Sequence, residues 1–196
     1  MSCQKKSPVV VGIGVIARDD QGRVVAAMSK CLKVPLGAVE VEAKALEAAA
    51  GFAIDIGVQK VIFESDSLVV CSAVQGAAEP PITIANIISS TIQIMQQLQQ
   101  VEVQHLRRNG NRAAHGLARY AQNVNDFVTW MEETPTIINS EVVSDAVPIY
   151  NLDMWSVGFL SKKKKKKNVT YYSFFSNNKL GGRAYIWVLP GNAIEK

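Results

Sequence analysis

Gly12-Ile13-Gly14-Val15-Ile16-Ala17-Arg18-Asp19-Asp20-Gln21-Gly22-Arg23-Val24 is the stretch that decides how this chain folds. From Val9 to Ala17 the run is rich in β-branched residues and contains two glycines, which reads as a strand. Asp19 to Gly22 supplies turn chemistry, with Gly22 free to take a positive φ. Arg23 to Leu32 then resumes as a second strand, so the pair is an antiparallel hairpin. Downstream the period changes. Val41, Ala45, Ala48, Ala49, Phe52 and Ala53 recur at helical spacing, which predicts a helix over 38–56 closed by Gly57. Val58 to Phe63 is a short apolar run suited to a strand buried on both faces. Ser65-Asp66-Ser67 offers N-caps for a helix to about Gln75. Glu79-Pro80-Pro81 interrupts the chain, and 82–98 returns to helical spacing. Val101 to His105 alternates like a half-exposed strand, and after Asn109-Gly110-Asn111 a last helix is expected over 112–122. Strand, strand, helix, strand, helix, helix, strand, helix describes an α/β domain with a mixed sheet flanked by helices.

Charge narrows the readings further. The net charge of +4 is uneven: residues 151–196 hold nine Lys or Arg against two acids, leaving 12 basic and 15 acidic residues in 1–150. The basic balance therefore belongs to the tail, and nucleic-acid binding by the domain has to be argued from local clusters. Arg107, Arg108, Arg112 and Arg119 form its one dense basic group. Such residues can hold phosphates, or they can be a solvated loop paired with acids. No run approaches the roughly 18 apolar residues that span a bilayer, so no membrane role is expected. Cys3, Cys31 and Cys71 form no CxxC pair, so neither a zinc site nor a disulfide framework is indicated, and an intracellular (cytoplasmic or nuclear) setting fits. The expected organisation is a domain over 1–135, an extension over 136–150 and a tail over 151–196. That tail, with Lys162 to Lys167 and no sustained period, reads as solvated or disordered, as a nuclear-localisation or nucleic-acid patch, or as non-native coding sequence.

Four segments in fixed order resemble the ribonuclease H type 1 family, especially the version in plant retroelement-derived proteins. They are the hairpin already quoted; Glu40-Val41-Glu42-Ala43-Lys44-Ala45-Leu46; Phe63-Glu64-Ser65-Asp66-Ser67; and the run from His105 to Ala118, with Arg107-Arg108-Asn109-Gly110-Asn111-Arg112-Ala113-Ala114-His115 inside it. Trp130 to Pro135 is similar to the closing segment of the plant version. The resemblance implies a ribonuclease H-like, mixed five-stranded sheet flanked by helices. It also implies hydrolysis of the RNA strand of an RNA–DNA hybrid by two Mg2+ ions about 4 Å apart, held by several carboxylates. In the family these carboxylates come from the first strand, the first helix, the end of the fourth strand and the last helix.

Carried onto this chain, the helix carboxylate is Glu42 and the strand-end carboxylate is Asp66, both as catalytic residues and metal ligands. The competing readings are a surface glutamate among Glu40 and Glu47, and an N-cap. His105 matches a histidine that assists proton transfer, a task suited to an imidazole; the alternative is a partly buried strand histidine. His115 stands where catalytic members carry the fourth carboxylate, and imidazole is a poor magnesium ligand. Arg107, Arg108, Asn111 and Arg112 are the expected nucleic-acid contacts, with an RNA–DNA hybrid or double-stranded RNA-like duplex as partner; the oligomeric state is not indicated. The departure lies upstream. The family's first strand ends in Asp-Gly, yet Met1 to Pro8 contains no acid, so the first, central strand is expected to be missing and hydrolysis impaired. Either the natural product is longer or the chain is a degenerate fragment, a non-catalytic binding or interaction remnant. A segment such as Tyr185 to Leu189 filling the central slot would count against the fragment.

Overall fold

The computed structural model describes residues 10–106, 112–146 and 184–190. Its strands are β1 (Val11–Arg18), β2 (Val24–Leu32), β3 (Lys60–Ser65), β4 (Gln100–His105), β5 (Phe127–Met131) and β6 (Ala184–Pro190). Its helices are α1 (Ala38–Asp55), α2 (Leu68–Val74), α3 (Ala85–Met95), α4 (Arg112–Tyr120) and α5 (Asn139–Ala146). One mixed sheet runs in the order β4-β3-β6-β1-β2-β5.

The hairpin forms as its sequence dictates. β1 and β2 pair antiparallel from Val11↔Leu32 to Ala17↔Ala26, and the register shifts at Arg18↔Val24. Asp19 holds the turn: one carboxylate oxygen accepts from the amides of Gln21 and Arg23 at 3.0 and 2.8 Å, and the other accepts from Arg23 Nε at 2.7 Å. Burial pushes the Asp19 carboxyl up, but the Arg23 hydrogen bonds and charge outweigh it and leave it below its ordinary value. Gly22 takes the expected positive φ of 76°.

The first helix ends in a Schellman arrangement. Gly57 has φ 72°, its amide donates to Ile54, and the Val58 amide donates to Ala53 at 3.0 Å. Val58 is thereby spent on the helix cap, and β3 starts two residues later than the apolar run suggests. The helix expected over 112–122, α4, stops at Tyr120, with a 3-10 turn over Ala121–Asn123.

The expectation of five strands with the central one missing is corrected to six. β5 adds to the outer edge of β2, from Ala26↔Met131 to Lys30↔Phe127. The central slot is filled by β6, from within the stretch expected to be a structureless tail. It runs antiparallel to β1 (Ile13↔Pro190 to Arg18↔Tyr185) and parallel to β3 (Val61↔Ala184 to Ser65↔Val188). A strand between two others satisfies backbone groups on both flanks that would otherwise be buried without partners. Alternation in β6 places Ala184, Ile186 and Val188 on one face, each at most 3% exposed. They join Ile13, Val15, Leu46, Phe52 and Phe63 in the core beneath α1.

The opposite face carries the second core, in which Ile16 and Ala27 meet Ala114, Leu117 and Ile138. Here the glycines of the hairpin are required. A Cβ on Gly12 would lie 1.9 Å from the Ala118 carbonyl oxygen, and one on Gly14 would lie 2.0 Å from that of Ala114. α4 therefore packs directly on the β1 backbone. Gly14→Ala should destabilise the fold by about 3 kcal/mol or more, because the obstacle is helix backbone that cannot rotate away. Urea unfolding beside Gly51→Ala, which meets nothing within 4 Å, checks this.

By strand alternation the same face holds a buried charged pair, Arg18 and Glu64, 4% and 8% exposed. Glu64 Oε2 has no hydrogen-bond partner among the described residues. Desolvation raises the Glu64 carboxyl from 4.5 to about 7, against the opposing charge of Arg18. Below pH 4.5 both folded and unfolded chains hold the proton. As pH rises from there to about 7, the unfolded chain has released it and the folded chain has not, so stability falls. Wild type should lose roughly 1–2 kcal/mol across this window, after discounting for partial solvent access and for Arg18. Glu64→Gln should flatten that part of a chemical-denaturation pH profile.

Candidate functional site

β3, β4 and β6 run parallel, so their carboxyl ends share one end of the sheet. In open α/β sheets this is the end where ligands bind. Ser65 and Asp66 leave β3 here, and His105 leaves β4 in register with Ser65. The N-terminal turn of α1 brings Glu42 to the same place.

The three glutamates of α1 have different jobs. Glu40 turns back to accept from the Gly37 amide at 2.5 Å and caps the helix. Glu47 pairs with Lys44 at 2.6 Å on the helix surface. Glu42 alone reaches another element, accepting a short hydrogen bond from the Ser67 hydroxyl. The same hydroxyl is the N-cap of α2, accepting from the Val70 amide at 3.4 Å. The cap is thus Ser67 and not Asp66.

Cys71, buried one turn into α2, reports on both carboxylates. Desolvation raises its thiol to about 11; hydrogen bonding to Ser65 opposes this, while the charges of Asp66 and Glu42 add to it. His105, exposed, places Nε2 3.3 Å from the Asp66 carbonyl oxygen. Glu42, Asp66 and His105 are brought together.

His115 is half-buried on α4. It lies on the outer face of α4, away from the buried Ala113, Ala114, Leu117 and Ala118, and lines a separate concavity with Gly116 and Arg119. Arg112 opens α4 and is exposed. Glu141 is held below its ordinary value, first by the Ser140 hydroxyl and in smaller part by the Arg112 charge. Arg107, Arg108 and Asn111 lie outside the described residues.

Magnesium needs several convergent oxygen donors, and two-ion chemistry needs more of them still. β6, which fills the slot of the family's first strand, is Ala-Tyr-Ile-Trp-Val-Leu-Pro and has no acid. Among the described residues no group of three or more His, Cys, Asp or Glu could hold a metal ion. The donor set present, Glu42 and Asp66, does not fit a two-ion site. Ser67 was legible as one of three N-cap candidates, whereas Glu64 had no separate signal beyond its place in Phe63 to Ser67.

A mixed sheet of this order, with a helix packed on hairpin glycines and carboxylates at the parallel strand ends, defines a ribonuclease H-type α/β domain. Residues 2–121 match the reverse transcriptase-like family model, and the chain belongs to that family. Its fold is similar to that of the RNase H1 from the halophilic archaeon Halobacterium salinarum, with a TM-score of 0.54 and 22% identity over 63% of this chain and 92% of that one. The N-terminal RNase H domain of a Mycobacterium tuberculosis protein, solved as a fusion with maltose binding protein, matches at a TM-score of 0.43 and 14% identity, over 57% and 91% of the two chains. No curated protein matches the chain significantly in sequence. No helix among the described residues is long and apolar enough to cross a membrane.

Ser67 ties the first helix to the third strand's end, which makes the tie measurable. Ser67→Ala should cost about 1 kcal/mol through loss of the cap. In a double-mutant cycle with Glu42→Ala, urea unfolding should give a coupling of at least about 0.5 kcal/mol. Strict additivity would mean that the two side chains do not meet.

Proposed function

We propose that this chain is a nucleic-acid-binding domain of the ribonuclease H type that holds an RNA–DNA hybrid, or a double-stranded RNA-like duplex, and hydrolyses it poorly or not at all. The observation that carries the reading is the central strand: β6 supplies the backbone pairing of the slot without the carboxylate that two-ion chemistry needs there. Glu42 on α1 and Asp66 just after β3 support the reading as the carboxylates of the site. Two carboxylates without a third are a weak magnesium site, so binding should not depend on the ion.

Recognition of such a duplex would rest on groove shape, 2′-hydroxyls and phosphate contacts. Arg112, exposed at the start of α4, would contact a phosphate, with Arg107, Arg108 and Asn111 preceding it in the chain. His105 would act there as a hydrogen-bonding group beside Asp66.

A labelled hybrid incubated with magnesium and the full chain tests this directly. The hybrid should be bound and left intact, with an affinity that a chelator leaves unchanged. Arg112→Ala should lower the slope of log affinity against log salt by about one. Cleavage by the wild type that both Glu42→Gln and Asp66→Asn abolish would show that another group replaces the missing aspartate, and the non-hydrolytic reading would fall.

A further inference from the structure

On the face of α4 turned away from the sheet lies a concavity of about 660 Å3, bounded by the α4 outer face, the 3-10 turn that follows it and Ile137. It is large enough for a small organic ligand of nucleotide size. His115 and Arg119 stand one helical turn apart on its helical wall, and Tyr120, Gln122 and Asn123 complete it. None of its lining residues is acidic. Arg119 is exposed and makes no ion pair among the described residues. A cation left without a carboxylate selects an anionic ligand.

The remaining wall is suited to a base. The Tyr120 ring is half-buried and packs against Trp130, with ring centroids 5.8 Å apart and planes tilted by 57°. An aromatic ring already held in place is a stacking platform whose ordering costs little on binding. The Gln122 and Asn123 amides each offer a donor and an acceptor, the pattern that base edges present in return. Ile137, 39% exposed, adds an apolar rim.

From these observations we infer that the α4 concavity is a nucleotide site: Arg119 takes a phosphate and Tyr120 stacks the base. The inference rests on the nucleic-acid reading above and extends it, since a stacked base must be unpaired. The ligand is therefore a nucleotide of a single strand, such as one running on from the end of a bound duplex, or a free nucleoside monophosphate, and the two share one chemistry.

Fluorescence anisotropy with the full chain separates these cases. The probes are a labelled blunt hybrid, the same hybrid with a four-nucleotide single-stranded extension, and a labelled single strand, with adenosine monophosphate as competitor. Arg119→Glu changes an exposed side chain and keeps the fold; Tyr120→Leu removes the platform. Both variants should weaken the extended hybrid and the single strand about tenfold, in line with the stacking of one base, and leave the blunt hybrid within about twofold. Displacement of the single strand by adenosine monophosphate would assign the site to nucleotides in general, and its failure to compete would assign it to strands; both support the inference. Unchanged affinities in Arg119→Glu, with the blunt hybrid still bound, would overturn the nucleotide site alone. No binding of any hybrid would overturn it together with the function proposed above.

Discussion

The backbone pairing of β6 with β1 on one flank and β3 on the other is the constraint on which the rest of the domain depends. An empty slot at the middle of a sheet would strand two rows of amide and carbonyl groups under two helical layers, where water cannot reach them. It would also take Ala184, Ile186 and Val188 out of the core under α1. The strand that closes the sheet comes from the far end of the described chain. Chain entropy permits this, because each doubling of a loop costs only about 0.6 kcal/mol.

That same constraint shapes the chemistry. The slot imposes backbone geometry and an alternating apolar face, and β6 meets both. It imposes nothing on the residue at the strand's end, where a carboxylate would matter only to a metal. Packing and catalysis are separable demands, and β6 answers to the first. Glu42 is anchored by Ser67, and Asp66 follows the end of β3. Function lives in such sites and does not follow from the fold alone.

Much of the fold was legible in the residues. The Gly12 to Val24 hairpin, the α1 period with its Gly57 stop and the alternating β4 all follow local rules of turn chemistry and spacing, and they reappear in the structure. What local rules miss is pairing between distant segments. Ala184 to Pro190 reads as a short apolar run, and only the vacancy between β1 and β3 gives it a place; Phe127 to Met131 likewise becomes a strand by adding to β2. In the site, the four segments led to Glu42, Asp66 and His105, which the structure groups. The position of His115 depends on which way α4 is rolled on Gly12 and Gly14, a tertiary fact with no one-dimensional signature. The same roll sets Arg119 and Tyr120 around one concavity.

Native-state hydrogen exchange of the β6 amides is the most direct measurement of the central claim. Amides bonded on both flanks within a central strand open only when the whole domain unfolds. The amides of Tyr185 to Leu189 should therefore exchange as slowly as those of β1 and β3, with the same dependence on denaturant. Exchange of these amides at the rate of an open chain, while β1 and β3 stay protected, would show that Ala184 to Pro190 does not occupy the centre of the sheet.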